Sequence, residues 1–219
     1  MKARCGCVVE PCPSSGVLRS VTKCAAHRRA YRDPATLDER YYRDLGVFGE
    51  TAHLAELLEA LGPFPAASGD RQALEIGCGC SPYAGAIKAA GWRYVGIDAS
   101  PWAAEWTRDR WGVSTLAEPL ESFDFLQPCG LILAAHVLEH LDDAPGEVRK
   151  LARALAPGGE LWVIVPDDSD LCNPDHLWFF TEATLRATVE AAGLSVVGLS
   201  VFRRVRHERF IYCRAVRPA

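Results

Sequence analysis

Two clusters of residues in this chain are of the right types and spacing to do chemistry. The first is LEIGCG, Leu74 to Gly79, followed by Asp98 at the end of the apolar run Tyr94 to Ile97. Gly77 and Gly79 break a short apolar run, Ala73 to Ile76, and a helical stretch from Tyr83 to Ala90 follows. That order is strand, glycine turn and helix. Glycine takes positive φ without strain and lets a ligand lie against bare main chain. Asp98 lies 21 residues beyond Gly77, the reach of one βαβ unit, which places its carboxylate beside the ribose of a nucleotide ligand held on the turn. A ribose diol can donate to both carboxylate oxygens.

The second cluster is HVLEH, residues 136 to 140, which follows the apolar run Leu131 to Ala135. A helix starting at His136 puts Glu139 and His140 at i+3 and i+4, all three on one face. His176, after Asn173 and Pro174, is expected on a loop at the same rim. Three imidazoles and a carboxylate can surround a divalent ion. His136, His140 and His176 are also the candidate general bases, because imidazole titrates near neutral pH. His53 and His207 fall in a helix and a turn and are expected at the surface.

The nine cysteines divide in the same way. Cys78, Cys80, Cys129, Cys172 and Cys213 stand in apolar or turn sequence, where free cysteine acts as a small hydrophobe. Cys5, Cys7, Cys12 and Cys24 crowd the amino-terminal stretch, and His27 follows Cys24 at C-x-x-H spacing. Two short β-runs, Val8 to Glu10 and Val17 to Val21, flank a turn-rich PCPSSG segment. A hairpin there brings Cys5 and Cys7 opposite Cys24 and His27, a tetrahedral set that structural zinc accepts, with Cys12 as a substitute ligand. A segment this short buries no core of its own, so metal would supply most of its stability. An odd cysteine count and a basic start, Met1 to Arg4, with no apolar run after it point to reduced thiols, a cytosolic protein and no membrane anchor.

The elements that must hold these groups follow from the apolar pattern. Tyr31 to Phe64 reads as largely helical, with Thr51, Leu54, Leu57, Leu58 and Leu61 on one face and Gly62, Pro63 and Pro65 ending it. From Arg71 onward apolar runs alternate with helical stretches, and strands are expected to begin near Ala73, Tyr94, Gly112, Leu131, Leu161, Leu194 and Arg209. The last two have no helix between them and should pair antiparallel. A length of 219 residues with 49% apolar content suffices for one sizeable α/β core. The net charge of −4 argues against a surface built wholly for nucleic acid. A basic turn with Arg203, Arg204, Arg206 and Arg209, together with Arg19, Lys23, Arg28, Arg29 and Arg32, leaves room for a local polyanion site.

Glu75 before the first glycine, the GCG core and the acid closing the second strand resemble class I S-adenosylmethionine-dependent methyltransferases. GLILAAHVLEHLDD (130–143), LARALAPGGELWVIVP (151–166) and HLWFFTEATLRATVEAAGL (176–194) match, in order, that family's fourth strand, its fifth with the preceding helix, and its sixth helix. About two thirds of the chain is covered. The resemblance implies S-adenosylmethionine held by Glu75, Gly77, Cys78, Gly79, Asp98 and Ala99, with residues 117–120 bordering adenine and Tyr41, Tyr42 and Phe48 capping the site. HVLEH resembles the E-x-x-E-H segment that binds a divalent ion in ubiquinone-biosynthesis O-methyltransferases and in small-RNA terminal 2′-O-methyltransferases. Glu139 and His140 match, His176 matches a later histidine of the RNA enzymes, and His136 replaces the first glutamate, a departure that either shifts preference toward a softer ion such as zinc, manganese or iron or means that no metal binds.

The expected architecture is therefore α/β: a doubly wound, Rossmann-like seven-stranded sheet with an antiparallel edge hairpin, preceded by a small Cys/His hairpin module. Its parts are a zinc-binding hairpin over 1–30, a helical cap over 31–70 and a cofactor-binding methyltransferase domain over 71–219. The expected function is methyl transfer to oxygen of a small molecule. The alternatives are an RNA 2′-O-methyltransferase and a non-catalytic S-adenosylmethionine-binding adaptor.

Overall fold

Strand order in this protein decides where a ligand can sit. The computed structural model describes residues 9–12, 18–20, 37–45, 52–68, 71–125, 127–167, 176–203 and 209–219. Seven strands form the main sheet: β3 (Gln72–Ile76), β4 (Arg93–Asp98), β5 (Ser114–Ala117), β6 (Cys129–Ala135), β7 (Leu155–Pro166), β9 (Ser195–Arg203) and β10 (Arg209–Val216). Their order is β5-β4-β3-β6-β7-β10-β9. The first five are parallel, and β10 runs antiparallel to both β7 and β9. The order reverses between β3 and β6, so a crevice opens beyond the carboxyl ends of those strands. Register aligns Ile76 with Ile97 on one side and with Ala134 on the other. Gly77, Asp98 and His136 therefore emerge at one rim.

Helices cover both faces, which is why β6 is buried without alternation from Cys129 to Ala134. On one side α2 (Ala52–Leu61) and α3 (Ala84–Ala89) bury Leu57, Leu61 and Ile87 with Trp162, Ile164 and Tyr212. On the other, α5 (Ala144–Ala154) and α6 (Glu182–Ala191) bury Val148, Leu151, Leu185 and Val189 with Leu74, Ile132 and Val163. Each such side chain contributes about 1.5–3 kcal/mol of hydrophobic stabilisation. α4 (Pro101–Trp111) has local signals at both ends. The Ser100 hydroxyl accepts from Ala103 N–H, Pro101 opens the first turn, and Gly112 closes it at φ 59°. A short α1 (Glu39–Leu45) lies near the start of α4. Among the described residues no helix is long and apolar enough to cross a membrane.

The seven-stranded sheet and its antiparallel edge pair stand as expected from the sequence. Three local features differ. β7 begins at Leu155, not near Leu161, because the Ala156–Gly159 turn is drawn into the ladder as a bulge, with Cys129 opposite Leu155 and Leu131 opposite Glu160. Residues 176–180 do not lead the sixth helix. Trp178–Phe179 form a strand, β8, and α6 starts only at Glu182, where the Thr181 and Thr184 side chains make a capping box. Strand geometry lets Trp178, Phe179 and Phe180 all bury almost completely, and Trp178 Nε1 donates to Leu141 O at 2.7 Å. β8 completes a second sheet with β1 (Val9–Pro11) and β2 (Leu18–Ser20), the amino-terminal hairpin, in the order β1-β2-β8. Cys5, Cys7, Cys24 and His27 lie outside the described residues, and Cys12 is half-buried.

Candidate active site

The glycine turn and Asp98 are joined by hydrogen bonds. Gly77 and Gly79 adopt φ of 60° and 49°, the left-handed region that side chains resist. Gly79 N–H donates to Asp98 Oδ2 at 2.7 Å, Ser100 N–H donates to Oδ1 at 2.7 Å, and the Tyr42 hydroxyl approaches Oδ1 at 3.5 Å. Burial pushes the Asp98 carboxyl up, against the pull of the Ser100, Gly79 and Tyr42 hydrogen bonds. Cys78 donates its N–H to Ile97 O at 2.9 Å and buries its thiol beside Gly96. Burial, with Asp98 and Glu75 nearby, holds that thiol well above its usual range, so only backbone of Cys78 is presented to a ligand. Ala99 is half-buried at the bend between β4 and α4.

Each glycine of the turn faces a neighbouring side chain. A Cβ on Gly77 would stand 2.4 Å from Val137 Cγ2, and one on Gly79 would stand 3.3 Å from Tyr42 Cε1. Val137 is β-branched and cannot rotate aside cheaply. Gly77→Ala is therefore expected to lower unfolding stability by about 2 kcal/mol, from the sum of left-handed strain and overpacking. Chemical denaturation reads this, and Val137→Ala in the same chain should restore part of the loss.

Glu75 is placed differently from its expected ligand role. It is 1% exposed, beneath the turn, and its Oε2 accepts from the Ser81 and Tyr94 hydroxyls at 2.7 Å each. Ser81 Oγ in turn accepts from Tyr83 and Ala84 N–H, fixing the start of α3. Glu75 thus braces the turn from below. Burial pushes its carboxyl from the usual 4.5 up to about 8, with Asp98 adding to the rise and the Tyr94 and Ser81 hydrogen bonds opposing it. The folded state binds this proton more tightly than the unfolded chain does. Its stabilising contribution is full below about pH 4.5 and fades as pH climbs to about 8. Glu75→Gln keeps an acceptor for both hydroxyls and should flatten the fall in melting temperature across that window.

The second cluster forms without the expected helix. His136 takes φ 57°, and Leu138–His140 make a single 3₁₀ turn closed by His140 N–H on Val137 O at 2.9 Å. Positive φ at His136 follows from its N–H staying bonded to Ile164 O while the chain turns sharply off β6. This turn separates what α-helical spacing would have grouped. Donor atoms of Glu139, His140 and His176 lie within 4.8 Å of one another, whereas the His136 ring turns toward Phe210, with ring centroids 4.9 Å apart. Its Nδ1 is 3.6 Å from Glu139 Oε1. Its Nε2 is buried with no hydrogen-bond partner among the described residues.

Glu139 is 1% exposed, and its Oε2 also has no hydrogen-bond partner among the described residues. Burial pushes its carboxyl up, but the approach of His136 and the nearby His140 and His176 imidazoles outweigh that and set it below its usual value. His176 is 4% exposed and is brought to the turn by its neighbours, since Leu177 N–H donates to Glu139 O at 2.7 Å and its ring lies 5.1 Å from that of His140.

His53 is not a surface residue. It is 9% exposed, and its ring stands edge-on to His136 with centroids 5.8 Å apart. Spacing carried the signal, because His53, Leu57 and Leu61 follow at i, i+4 and i+8, the stripe that α2 buries. His207 lies outside the described residues.

A sequence profile described as a methyltransferase domain matches residues 48–199. A search of curated protein sequences finds no match. Among solved structures, the N-methyltransferase NodS from Bradyrhizobium japonicum WM9, in complex with S-adenosyl-L-homocysteine, superposes with a TM-score of 0.60 at 24% identity, over 87% of this chain and 94% of its own. A chain from the complex of the Haloferax volcanii Trm112 methyltransferase activator with a methyltransferase gives a TM-score of 0.68 at 18% identity, over 87% and 100%. The [4+2]-cyclase SpnF gives 0.63 at 14% identity, over 90% and 89%. These likenesses are of fold, and the cyclase among them means that fold alone does not name the reaction.

Proposed function

The chain belongs to the methyltransferase-domain family, and from that premise we propose that it carries the methyl group of S-adenosylmethionine to an oxygen of a small molecule, with His136 as the base. The observation that carries the oxygen assignment is the His136 Nε2, buried and without a hydrogen-bond partner among the described residues while Nδ1 faces Glu139. A carboxylate on the Nδ1 side favours the tautomer whose lone pair is on Nε2, ready to take a hydroxyl proton. The cofactor fits this chain's own geometry. The Gly77–Gly79 turn offers main chain bare of side chains at left-handed φ, and Asp98 is an acceptor suited to a ribose diol. Bound, S-adenosylmethionine would supply a sulfonium methyl group open to in-line attack, with the neutral thioether as the leaving group. The protein's share is to align the acceptor, exclude water and hold the acceptor's proton on His136.

A divalent cation fits the same rim. Among the described residues Glu139 Oε2 is buried without a hydrogen-bond partner, and Glu139, His140 and His176 converge as a mixed oxygen and nitrogen donor set. Those three residues would hold the ion, and it would lower the pKa of a hydroxyl bound to it. Cys5, Cys7, Cys24 and His27 remain the proposed structural zinc ligands. Native mass spectrometry of wild type, Glu139→Gln and Cys24→Ser reads both sites. One ion lost in each variant is expected, and a wild type that carries no ion removes both.

Turnover of methyl-labelled S-adenosylmethionine with a panel of small hydroxyl and amine acceptors tests the reaction. A methyl ether product is expected. A methylated amine overturns the oxygen assignment. Transfer to RNA that stops when the 3′ ribose is deoxy moves the protein to the RNA alternative, and tight cofactor binding with no transfer to any acceptor moves it to the adaptor.

A further inference from the structure

The segment over residues 37–45 lies on the cofactor cradle. Leu37 is 4% exposed and its carbonyl accepts from the Ser100 hydroxyl. Tyr42 is 8% exposed, with its ring against Gly79 and its hydroxyl 3.5 Å from Asp98 Oδ1. The ring stacks on Trp102 at 5.6 Å between centroids and 28° between planes, and Cys80 and Ala103 complete the cluster. Both features that the cradle offers a ribose, the bare face of Gly79 and the free capacity of Asp98 Oδ1, are thus taken by one side chain.

We infer that Tyr42 is a latch: its phenol occupies the ribose position on Asp98 and Gly79, and cofactor binding must swing it, with α1, off that carboxylate. This rests on the reading of Asp98 as the ribose acceptor. α1 has only seven residues, too few to be stable as an isolated helix, and its Arg43–Glu39 and Arg40–Asp44 pairs are exposed and hold it only weakly. It is anchored to the body through Leu37, Tyr42 and the Trp102 stack. A segment so held can move as a unit while the sheet stays fixed. Apparent cofactor affinity is then the intrinsic affinity reduced by the fraction of molecules with the latch open.

The test is calorimetric titration with S-adenosylhomocysteine. Tyr42→Phe keeps the packing and removes the competing hydroxyl, and it should bind about three- to tenfold tighter than wild type, the worth of one hydrogen bond. Trp102→Phe weakens the stack from the other side and should bind about twofold tighter. Tyr42→Phe affinity equal to or weaker than wild type overturns the latch. The underlying reading fails separately, by Asp98→Asn binding as tightly as wild type or by folded wild type not binding at all.

Discussion

Asp98→Ala is expected to weaken S-adenosylhomocysteine binding by about 2–4 kcal/mol, or about 30- to 1,000-fold in Kd. The ligand loses a charged acceptor for its diol. The protein loses more, because Asp98 also accepts from the half-buried Gly79 N–H and the buried Ser100 N–H, and both donors would lose this partner. Leaving a buried donor unmade costs about 1–3 kcal/mol, so the alanine variant should also melt earlier. Asp98→Asn separates the two effects. It keeps a carbonyl oxygen for one of the donors and should recover stability better than affinity. Calorimetric titration with thermal unfolding of the three proteins reads both, and unchanged affinity in Asp98→Ala would exclude Asp98 as the ribose acceptor.

His136→Ala should lower kcat by about 10²- to 10⁴-fold with the acceptor identified from the panel, the usual worth of a positioned general base. Affinity for S-adenosylhomocysteine should stay within twofold of wild type, because His136 lies on β6's turn and takes no part in the glycine cradle. Backbone geometry supplies an independent check. A non-glycine residue at φ 57° carries about 1 kcal/mol of strain, so His136→Gly should be more stable than His136→Ala while just as inactive. A kcat within threefold of wild type in both variants would remove His136 as the base.

What could be read from the sequence follows the range of the interactions involved. The sheet was legible because its central parallel strands are buried on both faces and leave short apolar runs, as at Leu131 to Ala134. Gly77, Gly79 and Asp98 were legible because one βαβ unit has a nearly fixed length. Glu75 was found as a residue but not its role, since the Tyr94 and Ser81 hydroxyls that hold it beneath the turn come from beyond the motif. HVLEH was read as helical from its i+3 and i+4 spacing. A 3₁₀ turn entered at positive φ gives the same residues different neighbours, so Glu139, His140 and His176 meet while His136 faces Phe210 and His53. The strand at Trp178–Phe179 was missed because its partner, β2, lies far away in sequence.

β10 follows β9 in the chain yet lies between β9 and β7, so the order of synthesis differs from the order in space. As the chain leaves the ribosome, β9 has no neighbour to pair with in the main sheet until residues 209–216 follow it out and insert. Phe210, which packs on His136, arrives with that insertion. The pocket of the base is therefore completed only after the glycine cradle, and a nascent chain halted after β9 would hold that cradle without a finished acceptor pocket.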